Sequence, residues 1–343
     1  MNDKLTYSGL GVNIKAEPCY CNCEYCLAGS KRYVRFPLER YEAIAHRFIV
    51  WKETQAPEGF SLWFTPFYSL EISMERLQRY QQLAAQVGRE FPGGLQLNGI
   101  RIRTEDEMRH WLLERKAAGV KFIHSAFYGD QVLQDKTHGR FGDQNFLIMS
   151  NRVAAEIGLR RWERIFLTKS TLPHIENLID RLDGIANLEK RWIQPLGRYG
   201  KARQMEALRC TRGDLEKMSE RVSRYLHRDS LFTEGEFMAL VRSGYTASNE
   251  KSLSLWIDDS NIDEVESKSC DEIICGLKTK YDRLYSLLPD LDELCEKYGD
   301  ANSDGLSGSD SIVSLWRERY LRDHPQLIAK DEEDDFIYLT HLQ

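Results

Sequence analysis

The chain has no run of 18 apolar residues, so no membrane-spanning helix is expected. Its opening, MNDKLTYSG, lacks the basic and apolar regions of a signal peptide. Together these absences lead to the expectation of a cytoplasmic protein with no membrane partner. Basic residues are outnumbered, 47 Lys and Arg against 53 Asp and Glu, for a net charge of −6. Nucleic-acid binders normally carry a basic face, so a broad phosphate-binding surface is disfavoured, although a local basic groove stays open. No low-complexity linker and no repeat beyond a strand-helix unit is visible. With 343 residues, 42% of them hydrophobic, the chain can bury a sizeable core. Its eight cysteines, in a reducing compartment, point to metal binding, catalysis or core packing rather than to disulfides.

From residue 8 to about 196, short apolar or β-branched runs alternate with amphipathic helices. Strands are predicted at VNI (12), SLWF (61), LQL (95), VKFIHSAF (120), RIFL (164) and RWIQPL (191). Leu38, Tyr41, Ile44, Ala45 and Phe48 share one helix face, and Leu77, Tyr80, Ala84 and Val87 another, stopped by Gly88. A capping box from Thr104 to Glu107 opens a third helix that ends at Gly119. Two more are predicted over 143–157 and 171–182. Strand-then-helix units in series imply a parallel sheet with helical crossovers. The expected fold is α/β: a partial (β/α)6 TIM-like barrel over 1–205, with an open flavodoxin-like sheet as rival. A smaller C-terminal α+β domain over 206–343 is expected to cover the substrate, with a strand at SLSLWIDD (252) and an acidic tail, DEEDD (331). In either architecture reactive groups belong at the C-terminal strand ends.

The stretch CYCNCEYC at 19–26 sits just beyond the first strand end. Without Cys21, it leaves Cys19, Cys23 and Cys26 spaced CxxxCxxC, with Tyr25 before the last. Three thiolates on one short loop can each hold one iron of a four-iron cluster and leave the fourth iron without a protein ligand. An open position marks a catalytic metal, whereas a structural zinc site normally needs a second ligand pair. Cys21 reads as a bystander or an exchangeable ligand. Cys210, Cys270, Cys275 and Cys295 suffice in number for an auxiliary cluster, yet the helical spacing around Cys295 equally suits buried thiols.

On this spacing, the aromatic before the third cysteine and the βα series, the chain resembles the radical S-adenosylmethionine superfamily, close to its twitch and SPASM group. Further likeness lies in LQLNGIRIRTEDE (95), FIHSAFYGDQVLQDKTHGRFGDQNF (122) and IQPLGRYGKA (193). One departure is WFTPFYSLE (63), where the family usually has Gly-Gly-Glu. The resemblance implies a [4Fe-4S] cluster on Cys19, Cys23 and Cys26 and S-adenosylmethionine as second cofactor. It implies adenine beside the backbone of Tyr25 and beside Leu196, and backbone acceptors for the methionine ammonium at Thr65 and Pro66. Asn98, Ser125 and Lys169 would lie around the ribose and carboxylate, with Ser170 or Thr171 as substitutes for Lys169. No catalytic side chain is assigned.

The implied activity is radical hydrogen abstraction from a peptide or a small biosynthetic metabolite, with a reductase or flavodoxin as electron donor. The alternative is a non-catalytic iron-sulfur or zinc protein serving as scaffold or redox sensor. Arg198, Lys201 and Arg203 follow the sixth strand and are candidates for an anionic substrate group, against ordinary surface placement. His124 and His138 flank the fourth strand, as structural histidines or proton relays. Trp63, Phe64, Phe67 and Tyr68 are expected at the barrel mouth, and DANSDG (300) reads as a solvated turn rather than a calcium loop, since Ser311 replaces the final Glu.

Overall fold

The structure, a computed structural model, describes residues 6–14, 19–26, 36–66, 71–91, 93–245 and 250–337. Among them seven parallel strands carry the fold: β1 (Thr6–Ile14), β2 (Ser61–Pro66), β3 (Gly94–Gln96), β4 (Phe122–Phe127), β5 (Arg160–Leu167), β6 (Leu188–Pro195) and β7 (Glu250–Ile257). The helices between the first six are α1 (Leu38–Thr54), α2 (Met74–Gln86), α3 (Glu105–Ala117), α4 (Gln131–His138), α5 (Asp143–Glu156) and α6 (Ile175–Asp183). The expected capping box forms at Thr104 and Glu107. The sequence reading missed α4, whose eight residues are capped by Asp130 and stopped by Gly139 in the left-handed region.

The α/β class with parallel strands is as expected, and the array is not closed. The strands fall into two sheets, ordered β2-β1-β7 and β3-β4-β5-β6. β3 has only three residues, all registered on β4. Across the gap from β2, side chains make the link: Arg103 ion-pairs with Glu71, Arg115 donates to the Ile72 carbonyl (2.7 Å), and Gln81 donates to that of Ala118 (2.7 Å).

The boundary expected at 205 does not separate two independent sheets. β7 runs parallel to β1 along Thr6–Ile14, and its Leu253, Leu255 and Ile257 share one apolar core with β1, β2, α1 and α2. Helices Glu234–Arg242, Leu291–Tyr298 and Ser309–Asp323 form a separate core around Phe237 and Trp316. There the buried Glu234 accepts from the Trp316 indole (2.9 Å) and from Arg319 (2.6 Å). At DANSDG the chain turns back on itself, with the Asn302 amide on the Asp300 carboxylate (3.0 Å). Among the described residues no helix is long and apolar enough to cross a membrane.

Alternation along each strand sorts side chains between the helix layer and the inner face. Leu10, Val12 and Ile14 of β1 pack under the helices, which leaves Gly9, Gly11 and Asn13 facing inward. In β5, Ile165 and Leu167 join the helix-side core, so Arg164 and Phe166 face inward. Phe64, expected at the mouth, belongs to the helix-side core, because its neighbour Trp63 takes the inward position across Gly9 and Gly11. Phe67 and Tyr68 lie outside the described residues.

Candidate active site

The cysteine loop is seated on the C-terminal ends of the strands by backbone hydrogen bonds from three directions. The Tyr20 amide donates to Gly99 beyond β3 (2.8 Å), and those of Asn22 and Glu24 donate to His138 and Thr137 at the end of α4 (2.7 and 2.8 Å). The Lys201 amide, past β6, donates to the Cys26 carbonyl (3.0 Å). Glycine is required at one contact. Gly99 has φ +86°, and a Cβ there would stand 2.4 Å from the Cys19 sulfur. The Asn-Gly pair after β3 therefore makes room for the first cysteine.

Within the loop, burial separates two sets of side chains. Cys21 (1% exposed) and Tyr25 (7%) point into the protein. Cys19, Cys23 and Cys26 remain half-buried, and none of the eight cysteines is in a disulfide. The Cys21 thiol lies within reach of both neighbours. Its bond with Cys19 pulls its pKa down, while the bond with Cys23, burial and the charge of Asp143 push it up to about 12. A thiol held protonated is a poor metal ligand, since the thiolate is the ligating form.

Tyr25 anchors the loop through a buried polar chain. Its hydroxyl is 2.5 Å from His138 Nε2, and His138 Nδ1 is 2.6 Å from Asp143 Oδ2. With Asp143 ionised, His138 donates from Nδ1 and accepts the tyrosine proton bond at Nε2. Burial acts to raise the Asp143 pKa, but the bond from His138, the Arg140 charge and the Gln134 amide outweigh it and hold the carboxyl near 2. Tyr25 also stacks on Tyr128 (centroids 5.3 Å apart) and meets Phe166 (4.9 Å) in a cluster that includes Leu196 and Ala126. His138, fully buried and bonded on both ring nitrogens, matches the structural-histidine reading.

The other expected cofactor contacts are distributed unevenly. Thr65 and Pro66 end β2 opposite Asn13 and Ile14 of β1, and the Thr65 side chain is half-buried. Leu196 is buried beside Tyr25. Asn98 clasps β3 to β4, accepting from Gln96 and the Ala126 amide (both 2.6 Å) and donating to the Ala126 carbonyl (2.7 Å). Ser125 faces the helix layer, where it accepts from Asn151 of α5 (2.8 Å), because its parity on β4 is that of Ile123 and Phe127. Lys169 is exposed, while Thr171 is buried and donates to the Phe166 carbonyl (2.8 Å).

Arg198 is engaged by Glu206 and Glu318, so it is not available to an anionic ligand. Cys210, Cys270 and Cys295 are buried in three different cores and Cys275 is exposed, so these four do not form a second cluster site. Sequence reasoning did not anticipate that Cys21, Cys23 and His138 have donor atoms within 4.8 Å of one another. It also passed over Arg164, whose signal was a lone cation of inward parity in the strand RIFL.

No family model matches the chain, and no curated protein matches it in sequence. Among solved structures it is similar to native anSMEcpe with bound AdoMet and Cp18Cys peptide, at 14% identity and TM-score 0.37, over 55% of this chain and 51% of that one. It is similar to Streptococcus suis SuiB bound to precursor peptide SuiA, at 13% identity and TM-score 0.43, over 74% and 58% of the two chains. The coproporphyrinogen III oxidase HemN from Escherichia coli, described as a radical SAM enzyme, gives 15% identity and TM-score 0.41 over 74% and 64%. This chain thus spans about half the length of anSMEcpe and under two thirds of SuiB and HemN.

Proposed function

We propose that the chain is a radical S-adenosylmethionine enzyme acting on a peptide or a small biosynthetic metabolite. The observation that carries this reading is the burial split in the loop: the three thiols of CxxxCxxC stay accessible while the intervening Cys21 and Tyr25 are turned inward. The donor set fits a [4Fe-4S] cluster, since thiols that each serve a different iron need not converge on one point. When bound, the cluster and S-adenosylmethionine supply reductive cleavage of the sulfonium to a 5′-deoxyadenosyl radical that abstracts hydrogen.

The protein's own share is positioning. Cys19, Cys23 and Cys26 hold the cluster from a loop fixed to β3, α4 and the segment after β6. Tyr25, locked by His138 and Asp143, keeps the loop backbone rigid where the adenine is to lie, and Leu196 offers the adjacent apolar surface. The carbonyls of Thr65 and Pro66 are acceptors for an ammonium. Asn98 and Ser125 serve this site by bracing β3 and β4, and Thr171 shapes the loop that displays Lys169. A separate reductase or flavodoxin supplies the electron, and residues 206–343 cover the substrate.

A second reading rests on one observation, the convergence of Cys21, Cys23 and His138, which suits a single zinc ion in a scaffold or redox sensor. Anaerobic reconstitution with iron and sulfide, followed by dithionite and S-adenosylmethionine, separates the two. Release of 5′-deoxyadenosine is expected. A zinc-loaded protein indifferent to reductant would support the scaffold.

A further inference from the structure

Inside the strand array one cation stands without a counter-charge. Arg164 is at mid-length of β5, in register with Ala126 of β4 and Trp192 of β6, and its parity turns it to the inner face. Its Nε is buried with no hydrogen-bond partner, and among the described residues its guanidinium meets no carboxylate. Other buried arginines are paired: Arg103 with Glu71, Arg161 and Arg191 with Glu163, Arg198 and Arg209 with Glu206. A guanidinium does not escape burial by losing its proton, so an uncompensated one is costly.

Its surroundings hold it ready for a ligand. The guanidinium carbon lies 5.2 Å from the centroid of the Trp192 ring, which limits its rotation. His124 stacks on the same indole (5.2 Å, 19°), and its Nε2 is likewise buried without a partner. Burial, then the charge of Arg164, depress the His124 pKa to about 3, so the imidazole stays neutral and adds no second charge. Lys190 approaches the same ring (5.2 Å) but is exposed near the start of β6, in register with Trp162. Arg164 is thus the only cation at its depth on the inner face of β4, β5 and β6.

The geometry points to a binding site for a carboxylate group of the substrate, held by the Arg164 guanidinium against Trp192. A planar carboxylate accepts two parallel N–H bonds from the guanidinium fork, and its single negative charge balances the single cation. A phosphate dianion would leave one charge unmatched there. Calling the ligand a substrate rests on the proposed radical chemistry; the anion site itself does not.

The test is fluorine NMR on the full chain, reconstituted anaerobically, with trifluoroacetate as carboxylate probe and trifluoroethanol as neutral control. Saturable broadening of trifluoroacetate alone is expected, reversed by acetate more effectively than by inorganic phosphate. Arg164→Met should weaken this binding about tenfold or more, and Arg164→Lys less. Affinity for S-adenosylmethionine should change less than about twofold in Arg164→Met, the carboxylate of that cofactor being bound elsewhere. The proposal is overturned by no saturable broadening, by broadening unchanged in Arg164→Met, by tighter competition from phosphate, or by a tenfold loss of S-adenosylmethionine affinity. The acetate and phosphate competitions use the unmodified chain, so they decide even where a variant fails to fold. Absence of 5′-deoxyadenosine with trifluoroacetate binding intact would fault the radical reading alone.

Discussion

A Cys23→Ala variant is expected to lose both the brown cluster absorbance and 5′-deoxyadenosine formation, and Cys26→Ala is expected to do the same. Cys21→Ala should retain both. The reasoning lies in where the side chains point. Cys23 and Cys26 are half-buried at the strand ends, whereas Cys21 is buried against Asp143, 3.8 Å from its Oδ1, with a thiol that resists ionisation. Removal of one of three ligands leaves two irons of a four-iron cluster without protein sulfur, and iron content should fall from about four per chain towards zero. A mononuclear site on Cys21, Cys23 and His138 reverses the pattern: Cys21→Ala would then abolish metal binding and Cys26→Ala would spare it. Iron and zinc analysis of the three variants, beside circular dichroism to verify folding, decides between the two ligand sets.

Glu163→Gln is expected to cost about 3–5 kcal/mol of stability, read as a fall in the urea unfolding midpoint. Glu163 is fully buried on the helix side of β5 and accepts from two guanidinium groups, Arg161 on its own strand and Arg191 on β6 (Nε, 2.7 Å). Arg191 reaches on to Asp183 at the end of α6 (2.5 Å). Taking away the shared charge leaves Arg161 with only backbone carbonyls and Arg191 with the half-exposed Asp183, inside a space too dry to hydrate them. Replacing all three by apolar residues of similar size should recover most of the loss, because no unpaired charge remains. A Glu163→Gln variant within about 1 kcal/mol of the parent would show that water reaches this network.

Much of the first half of the fold was legible because its signals are local. Apolar spacing, the Thr104 capping box and glycine stops reproduce α1, α2, α3, α5 and α6 to within a few residues. The strand SLSLWI was also recognisable, but not its place beside β1, since pairing between residues more than 200 positions apart leaves no local mark. The division at 205 followed a change of rhythm, and rhythm does not reveal that a later strand returns to the first sheet. α4 was missed because its eight residues hold few apolar ones; its buried Gln134, Thr137 and His138 answer to Tyr25 and Asp143 instead.

The candidate site was legible at the level of the loop and less so at single side chains. CxxxCxxC with Tyr25 could be read directly. Whether Ser125 faces inward or outward depends on strand parity, and a one-residue step turns it to the helix layer. Likewise, Arg198 seemed available in a basic run, and only folding brings Glu206 and Glu318 against it. The isolation of Arg164 is a property of where all the carboxylates end up, which no short stretch encodes.

Mössbauer spectroscopy on anaerobically reconstituted protein puts the central claim to the most direct trial. The account calls for the quadrupole doublets of a [4Fe-4S] cubane, perturbed at a single iron when S-adenosylmethionine is added. A spectrum without cubane iron, from protein that is folded and retains Cys19, Cys23 and Cys26, would contradict it.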